Sequence, residues 1–171
     1  RNMVKRPMVR QFLEDAFCGE SKAHMKYSIF AEKAEKEGLH NLAKMYRAIA
    51  YAEFVHAKNH FIALGHLSDI TENLKSSIEG ETFEVDNMYP VYLNASEFEK
   101  EKEAERSNHF ALEAEKGHIV MYKEALEKAE KNQDVKSDTF YVCPICGYTT
   151  DEPVQDKCPV CGAKKEFFVK F

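Results

Sequence analysis

The pattern that most constrains the fold is a Glu-x-x-His tetrapeptide that occurs twice, at Glu53–His56 and at Glu115–His118. Each copy lies in a long stretch that is rich in Ala, Glu and Lys and poor in Gly and Pro, which favours a helix. A spacing of three residues places the carboxylate and the imidazole one turn apart on the same helix face. That face is otherwise apolar, so each helix is expected to point two metal-binding groups inward. A fold that buries both faces also buries their carboxylates, which then need a bound cation to balance their charge.

Four amphipathic helices are predicted. Gly38 and Gly65 are expected to end the first two, because glycine readily adopts the left-handed conformation of a C-terminal cap. Pro90 is expected to kink the third. The predicted ranges are about 9–37, 41–64, 77–97 and 100–131, with a linker at about 66–73. Helices of this length and pattern pack as a four-helix bundle, which we assign to residues 1–136.

Each predicted helix carries at least one glutamate within its apolar stripe. A single such residue would be a chance exposure at the edge of the stripe. Five of them would repel one another unless a cation lies among them. Mixed oxygen and nitrogen ligation suits iron or manganese, so the pattern predicts a carboxylate-bridged di-iron or di-manganese site. The inward-facing glutamates are Glu20, Glu53, Glu81, Glu84 and Glu115.

Glu84 and His56 exceed the minimal ligand set of such a site. A surplus of ligands would allow the coordination to change with oxidation state. The alternative for Glu84 is a hydrogen bond to a neighbouring group. Tyr27 and Tyr89 lie where their hydroxyls could reach the carboxylates, although a tyrosine on an apolar stripe is more often a packing residue.

Residues 137–171 have a different sequence pattern, in which short β-prone segments surround two copies of the motif C-P-x-C-G. The pairs Cys143/Cys146 and Cys158/Cys161 predict one tetrahedral four-sulfur site for iron or zinc. Two disulfides are the alternative. So short a domain needs a metal to hold it together. Iron fits the context better, because a one-electron centre beside a redox-active bundle makes chemical sense, whereas zinc would be structural.

Composition excludes some classes of protein. The formal net charge of −5 argues against a nucleic-acid-binding protein, which would show a basic face. No apolar run approaches the roughly 20 residues of a membrane span. No apolar segment of the signal-peptide kind follows the basic N-terminus, so we expect a cytoplasmic protein.

These features together resemble the rubrerythrin family along essentially the whole chain. The resemblance implies a ferritin-like four-helix bundle followed by a rubredoxin-like domain. It also implies two irons at the carboxylate site and one at the four cysteines, with zinc as the alternative there in recombinant material. The implied activity is that of a non-haem peroxidase that reduces hydrogen peroxide to water. The matching strings are GES at 19–21, AEFVH at 52–56, EGETFE at 79–84, EAEKGH at 113–118 and the two cysteine motifs.

The resemblance also implies a role for most of the candidate ligands. Glu53 and Glu115 would bridge the two irons, and Glu20 and Glu84 would serve one of them. On reduction that iron is expected to exchange Glu84 for His56, which opens a position for peroxide.

The other iron would be bound by Glu81 and His118. Tyr27 and Tyr89 match family tyrosines that donate hydrogen bonds to ligating carboxylates.

Partners are implied by the same resemblance. Electrons would come from NAD(P)H through a reductase, directly or by way of a separate rubredoxin, and enter at the four-cysteine site. The tail is expected to be too short to reach the di-iron site of its own chain, which favours a head-to-tail homodimer. The linker at about 65–76 would also permit exchange of helix pairs between subunits. The rival interpretations are a ferroxidase that stores or delivers iron, and a structural zinc-ribbon module on a metal-stabilised bundle.

Overall fold

The structure, a computed structural model, describes residues 3–171. It divides into two compact units, one that ends at Ser68 and one that spans Asp69–Phe171. Within the described range, no helix combines the length and the apolar character needed to cross a bilayer.

The first unit is a hairpin of two long helices, α1 (Pro7–Lys36) and α2 (His40–Leu64). The glycines at both helix ends are left-handed, with φ of 78° at Gly38 and 82° at Gly65, as predicted. One face of α2 is buried at every seventh residue. Small side chains on that face let the two helix backbones approach closely. These buried positions are Ala43, Ala50, Ala57 and Leu64.

The stripe expected to face inward in this hairpin is only partly buried. Phe12, Phe30 and Met45 are all exposed. Two helices can bury only the faces that they turn toward each other, and here the alanine face of α2 takes that part. The stripe that carries the glutamates lies on another side of the hairpin.

In the second unit, one continuous helical run is made of α3 (Ile70–Phe83), a π-helical turn (Glu84–Met88) and α4 (Tyr89–Phe98). The run begins earlier than predicted, because the side chain of Asp69 caps it by accepting a 3.0 Å hydrogen bond from the backbone N–H of Glu72. The π-helical turn ends two residues before Pro90. A proline lacks an N–H and crowds the preceding turn of a helix, which a wider turn accommodates.

The last long helix, α5 (Lys102–Ala129), packs against α3 and α4. No glycine or proline separates it from α4. Lys100 instead adopts a φ of 60° at the break. The backbone N–H groups of Lys100 and Glu101 satisfy the last carbonyls of α4.

The C-terminal segment of the second unit is a small three-stranded antiparallel sheet in the order β2-β1-β3. Its strands are β1 (Tyr141–Val142), β2 (Thr149–Thr150) and β3 (Val169–Lys170). Strands of two residues bury little surface, and the core of this segment consists of Cys143, Cys146 and Cys158. Its stability therefore depends on what the cysteines bind.

Candidate metal centres

The first group of ligands lies in the helix hairpin. Glu20 on α1 and Glu53 and His56 on α2 place one ligand atom each within 4.8 Å of one another. His56 Nδ1 lies 3.1 Å from Glu53 Oε2 and 3.8 Å from Glu20 Oε2. The contact with Glu53 raises the pKa of Glu20, and the contacts with Glu20 and His56 lower the pKa of Glu53. Two carboxylates and an imidazole thus converge on one point.

The second group repeats this arrangement in the other unit. Glu81 on α3 and Glu115 and His118 on α5 also place one ligand atom each within 4.8 Å of one another. His118 Nδ1 lies 2.7 Å from Glu115 Oε2 and 3.8 Å from Glu81 Oε2. In both groups the same ring nitrogen faces the glutamate three residues earlier. The Glu-x-x-His spacing produces this geometry because the two side chains share one helix face.

The second group is built to receive a cation. Glu81 Oε2 is buried and has no hydrogen-bond partner within the described part of the chain. Burial, together with the neighbouring carboxylates of Glu115 and Glu84, raises the pKa of Glu81 to about 8. An orphaned carboxylate oxygen of this kind is costly unless a cation binds it. The donor set of carboxylates and imidazole fits iron or manganese.

Glu84 lies on the π-helical turn, outside the three-residue group but close to it. Burial and the carboxylate of Glu115 raise the pKa of Glu84, while His118 acts in the opposite direction. A π-helical turn shifts the side chains that follow relative to a regular α-helix and is frequent at functional sites. Glu84 therefore lies near the carboxylates and the imidazole of the second group.

The tyrosines are placed differently from one another. Burial and the nearby Glu84, Glu115 and Glu81 raise the pKa of Tyr89. Tyr27 instead packs against the rings of Phe30 and Tyr46.

Tyr122 was not singled out from the sequence as a site residue. Burial, Glu81 and Glu115 raise its pKa, which places it among the carboxylates of the second group. Its position one turn after His118 on the apolar stripe of α5 was the available signal.

The four cysteines converge on one point, and all of them are free thiols. Their sulfur atoms lie within 4.8 Å of one another, with 3.5 Å between Cys143 and Cys161 and 3.4 Å between Cys146 and Cys158. Four sulfur atoms that bind one ion at metal–sulfur distances of about 2.3 Å lie about 3.8 Å apart. The distances in the structure are close to this value.

Burial raises the pKa of Cys146. It acts in the same direction on Cys158, but the backbone N–H groups of Cys161 and Val160 lower the pKa of Cys158 overall. These N–H groups favour the thiolate form, which a metal requires.

The four-cysteine segment lies directly against α5. Thr149 Oγ1 is 3.0 Å from His118 Nε2 and 2.9 Å from the carbonyl oxygen of Gly147, which follows Cys146. A cleft of about 290 Å³ lies beside this contact, lined by Glu115 and His118 together with Cys146 and Gly147. The tail was expected to be too short to reach the ligands of its own chain, and the structure differs in this respect. Thr149 was missed because no motif includes it.

Two family models match the chain. The model described as Rubrerythrin covers residues 11–126, and the model of the rubrerythrin rubredoxin-like domain covers residues 141–169. The first contains both Glu/His groups, and the second contains all four cysteines. The groups of ligands are those expected of rubrerythrin iron centres.

Individual proteins match over almost the full length. Rubrerythrin-2 of Clostridium acetobutylicum is 41% identical, with 98% of this chain and 99% of that protein covered. Nigerythrin of Nitratidesulfovibrio vulgaris is 30% identical, with coverage of 93% and 84%. A solved structure of nigerythrin in its fully reduced, all-ferrous state has a TM-score of 0.57 at 27% identity, with 100% of this chain and 89% of that chain covered. The mainly helical, ferritin-like fold with a small four-cysteine domain is confirmed, and the chain belongs to the rubrerythrin family.

Proposed function

We propose that this protein is a cytoplasmic hydrogen-peroxide reductase that defends the cell against oxidative stress. The reaction consumes one peroxide, two electrons and two protons and yields two waters. The electrons would originate from NAD(P)H and arrive through a reductase or a rubredoxin at the four cysteines. The observation that carries the proposal is the hydrogen-bonded contact between the four-cysteine segment and His118, because storage of iron requires no attached one-electron carrier.

The ligand assignment of the proposal starts from the two Glu-x-x-His motifs. Glu53 and Glu115 are proposed as the bridging carboxylates, with Glu20 and Glu84 on one metal and His56 as the ligand that replaces Glu84 on reduction. The exposed side chain of His56, 53% of which is accessible, supports the exchange.

For the other metal we propose Glu81 and His118, with Tyr27 and Tyr89 as hydrogen-bond donors to the carboxylates. The buried, unpartnered oxygen of Glu81 supports its assignment. The hydroxyl of Tyr89 is protonated near neutral pH and can donate to Glu84 or Glu115, and burial and these carboxylates raise its pKa further.

When bound, the irons would supply electrons to peroxide and stabilise the negative charge that develops as the O–O bond breaks. The chain's own residues hold the metals and control access. Glu20 is 31% exposed and His56 53% exposed, so this group gives peroxide and protons a route from solvent. In the second group, His118 is 27% exposed and Glu81 and Glu115 are 18% exposed, so these side chains are less accessible than Glu20 and His56.

We further propose a homodimer, head-to-tail or with helix pairs exchanged between subunits. Phe12, Phe30 and Met45 are exposed on the hairpin that carries the first ligand group. Apolar surface of this kind is typical of a face that another helix pair covers. Light scattering of the metal-loaded protein is expected to give twice the chain mass, and a monomer at micromolar concentration would rule out the dimer.

The proposed function is tested by the metal content and visible spectrum of protein purified without air. We expect two irons at the carboxylate site and a third with the sulfur-to-iron charge-transfer band. An NADH-dependent assay with added reductase and rubredoxin should then consume peroxide. Zinc at the cysteines of protein taken from its native cells would favour a structural module, and many irons per chain would favour iron storage. The double variant Glu53→Ala/Glu115→Ala should lose peroxide consumption and keep the charge-transfer band.

A further inference from the structure

We propose that Thr149 is a positioning residue for His118, and that through it the four-cysteine site controls metal binding at the Glu81/Glu115/His118 group of the same chain. The inference rests on the proposed function only in taking His118 as a metal ligand. It concerns which ring nitrogen is presented to the metal and what holds the ring in that orientation.

The hydrogen-bond donors and acceptors fix the direction of the chain of contacts. Thr149 Oγ1 carries one proton, and the carbonyl oxygen of Gly147, 2.9 Å away, can only accept it. The hydroxyl therefore presents a lone pair to His118 Nε2, 3.0 Å away, and Nε2 must be the donor. With the proton held on Nε2, the lone pair of the neutral ring lies on Nδ1, which faces the carboxylates. A ligating histidine usually has this arrangement, with its second nitrogen donating to a fixed acceptor.

The opposite side of the ring offers the position for a cation. His118 Nδ1 and Glu115 Oε2 are 2.7 Å apart. Two lone pairs repel at that distance, so a proton or a metal ion must lie between them. Because Thr149 holds the ring proton on the far side, the near side is free for a metal.

The contact is built into the packing of β2 on α5. Gly117 and Ala114 on α5 are small, and a Cβ placed on Gly117 would meet the carbonyl oxygen of Thr149 at 3.9 Å. A Cβ placed on Gly147 would lie 3.8 Å from that of Ala114. Both distances are those of ordinary van der Waals contact, so the strand and the helix pack directly against each other at this place.

The position of Thr149 is set from the cysteine site. Thr149 pairs with Val142 on β1, which leads directly into Cys143. Gly147, whose carbonyl receives the Thr149 hydroxyl, has a φ of 81° and donates its N–H to the Cys143 carbonyl. A metal held by the cysteines therefore fixes both flanks of Thr149. Loss of that metal would release the hydroxyl that orients His118.

His56 offers the internal comparison. Its Nδ1 also faces a glutamate three residues earlier, at 3.1 Å. Across residues 3–171, however, no hydrogen bond to His56 Nε2 is found, and the side chain is 53% exposed. Among the described residues, the second ring nitrogen of the motif is therefore hydrogen-bonded in His118 and not in His56.

The test compares three variants. Fe(II) is titrated anaerobically into protein whose cysteine site already holds iron, for the wild type, Thr149→Val, Thr149→Ser and the neighbouring Thr150→Val. Thr150 serves as the matched control, because its hydroxyl accepts from the backbone N–H of Glu152 instead. We expect Thr149→Val to weaken Fe(II) binding about 10–100-fold, the usual effect of losing such a partner. Thr149→Ser should stay within about twofold of the wild type, and Thr150→Val should be unchanged.

A second readout needs no variant. In zinc-loaded wild type, long-range proton–nitrogen NMR should place the His118 proton on Nε2. A proton on Nδ1 would overturn the proposal. So would Thr149→Val binding Fe(II) like the wild type, or Thr149→Ser binding as weakly as Thr149→Val, since the second result would assign the effect to packing. If the wild type fails to reduce peroxide but shows the expected tautomer and the valine effect, the proposed function falls and this inference stands.

Discussion

The two Glu-x-x-His groups are alike in motif and different in setting. His118 is 27% exposed and held at both ring nitrogens, whereas His56 is 53% exposed and held at one. The second group also includes a buried carboxylate oxygen, at Glu81, that has no hydrogen-bond partner among residues 3–171. The same four-residue pattern therefore occurs once with a less exposed histidine held at both nitrogens and once with a more exposed histidine held at one. The proposed exchange of one ligand at otherwise retained metals would use this difference.

The largest expected difference follows from removing each histidine in turn. His118→Ala should abolish stable iron binding at the carboxylate site, a loss of more than about 100-fold, because it removes a ligand rather than a supporting partner. His56→Ala should retain iron in the oxidised protein. Iron per chain, counted after anaerobic loading, oxidation with peroxide and gel filtration, measures both. Equal losses of iron in His118→Ala and His56→Ala would contradict the proposed difference between the two groups.

Removal of the metal from the cysteine site should weaken metal binding at the His118 group and leave the His56 group unchanged. Cys158→Ser is expected to disorder the small sheet and so weaken Fe(II) binding at the His118 group about 10–100-fold, as loss of Thr149 would. Amide hydrogen exchange should show lost protection in residues 141–150 and in α5 near His118, with no change in α2. Uniform protection in α5 would argue that the segment and the helix are independent.

The metal-free protein should lose stability as pH rises. The folded-state pKa of Glu81 is about 8 against an ordinary value of 4.5, so between these values the folded chain binds more protons than the unfolded chain. Stability therefore falls from pH 4.5 toward pH 8. After screening by solvent we expect about 1 kcal/mol, or about 2–4 °C in Tm.

Thermal unfolding at pH 5 and pH 8 measures this effect, and Glu81→Gln should reduce it. Glu35 provides a control with a shift in the opposite direction. His40 and Arg47 lower the pKa of Glu35, so the stability that its carboxylate contributes is already complete at pH 5. A metal-free protein that gains stability over this range would contradict the prediction.

The smallest expected difference concerns the tyrosines. Tyr89 lies among the carboxylates, so Tyr89→Phe should slow peroxide reduction about 2–5-fold, the effect of about one neutral hydrogen bond. Tyr27→Phe should have less effect, because the ring packs on Phe30 and Tyr46. Rates measured at saturating reductant compare the two. A larger loss in Tyr27→Phe would make Tyr27 the more important of the two proposed donors and contradict this order.

Much of the fold was predictable, because helix periodicity and glycine caps are local signals. Gly38 and Gly65 end the first two helices as expected. The early start of α3 was missed, because residues 66–73 were interpreted as a linker. Asp69 in fact caps a helix that begins at Ile70. The break between the last two helices lies near the predicted place, although no glycine or proline marks it and Lys100 adopts the positive φ there.

For the site, the two ligand groups and the cysteine cluster follow from spacing along single helices or knuckles. Thr149 does not, because its role depends on a strand packing against a distant helix. A threonine carries no signal until its neighbour is known. The unequal exposure of His56 and His118 is a tertiary property for the same reason.

The most direct test of the peroxidase proposal is stopped-flow mixing of the fully reduced, iron-loaded protein with hydrogen peroxide and, separately, with oxygen. Peroxide should oxidise the carboxylate site several times faster than oxygen does, and the charge-transfer band of the cysteine site should grow afterwards as its iron becomes ferric. Oxidation by oxygen at the same rate as by peroxide would contradict the assignment.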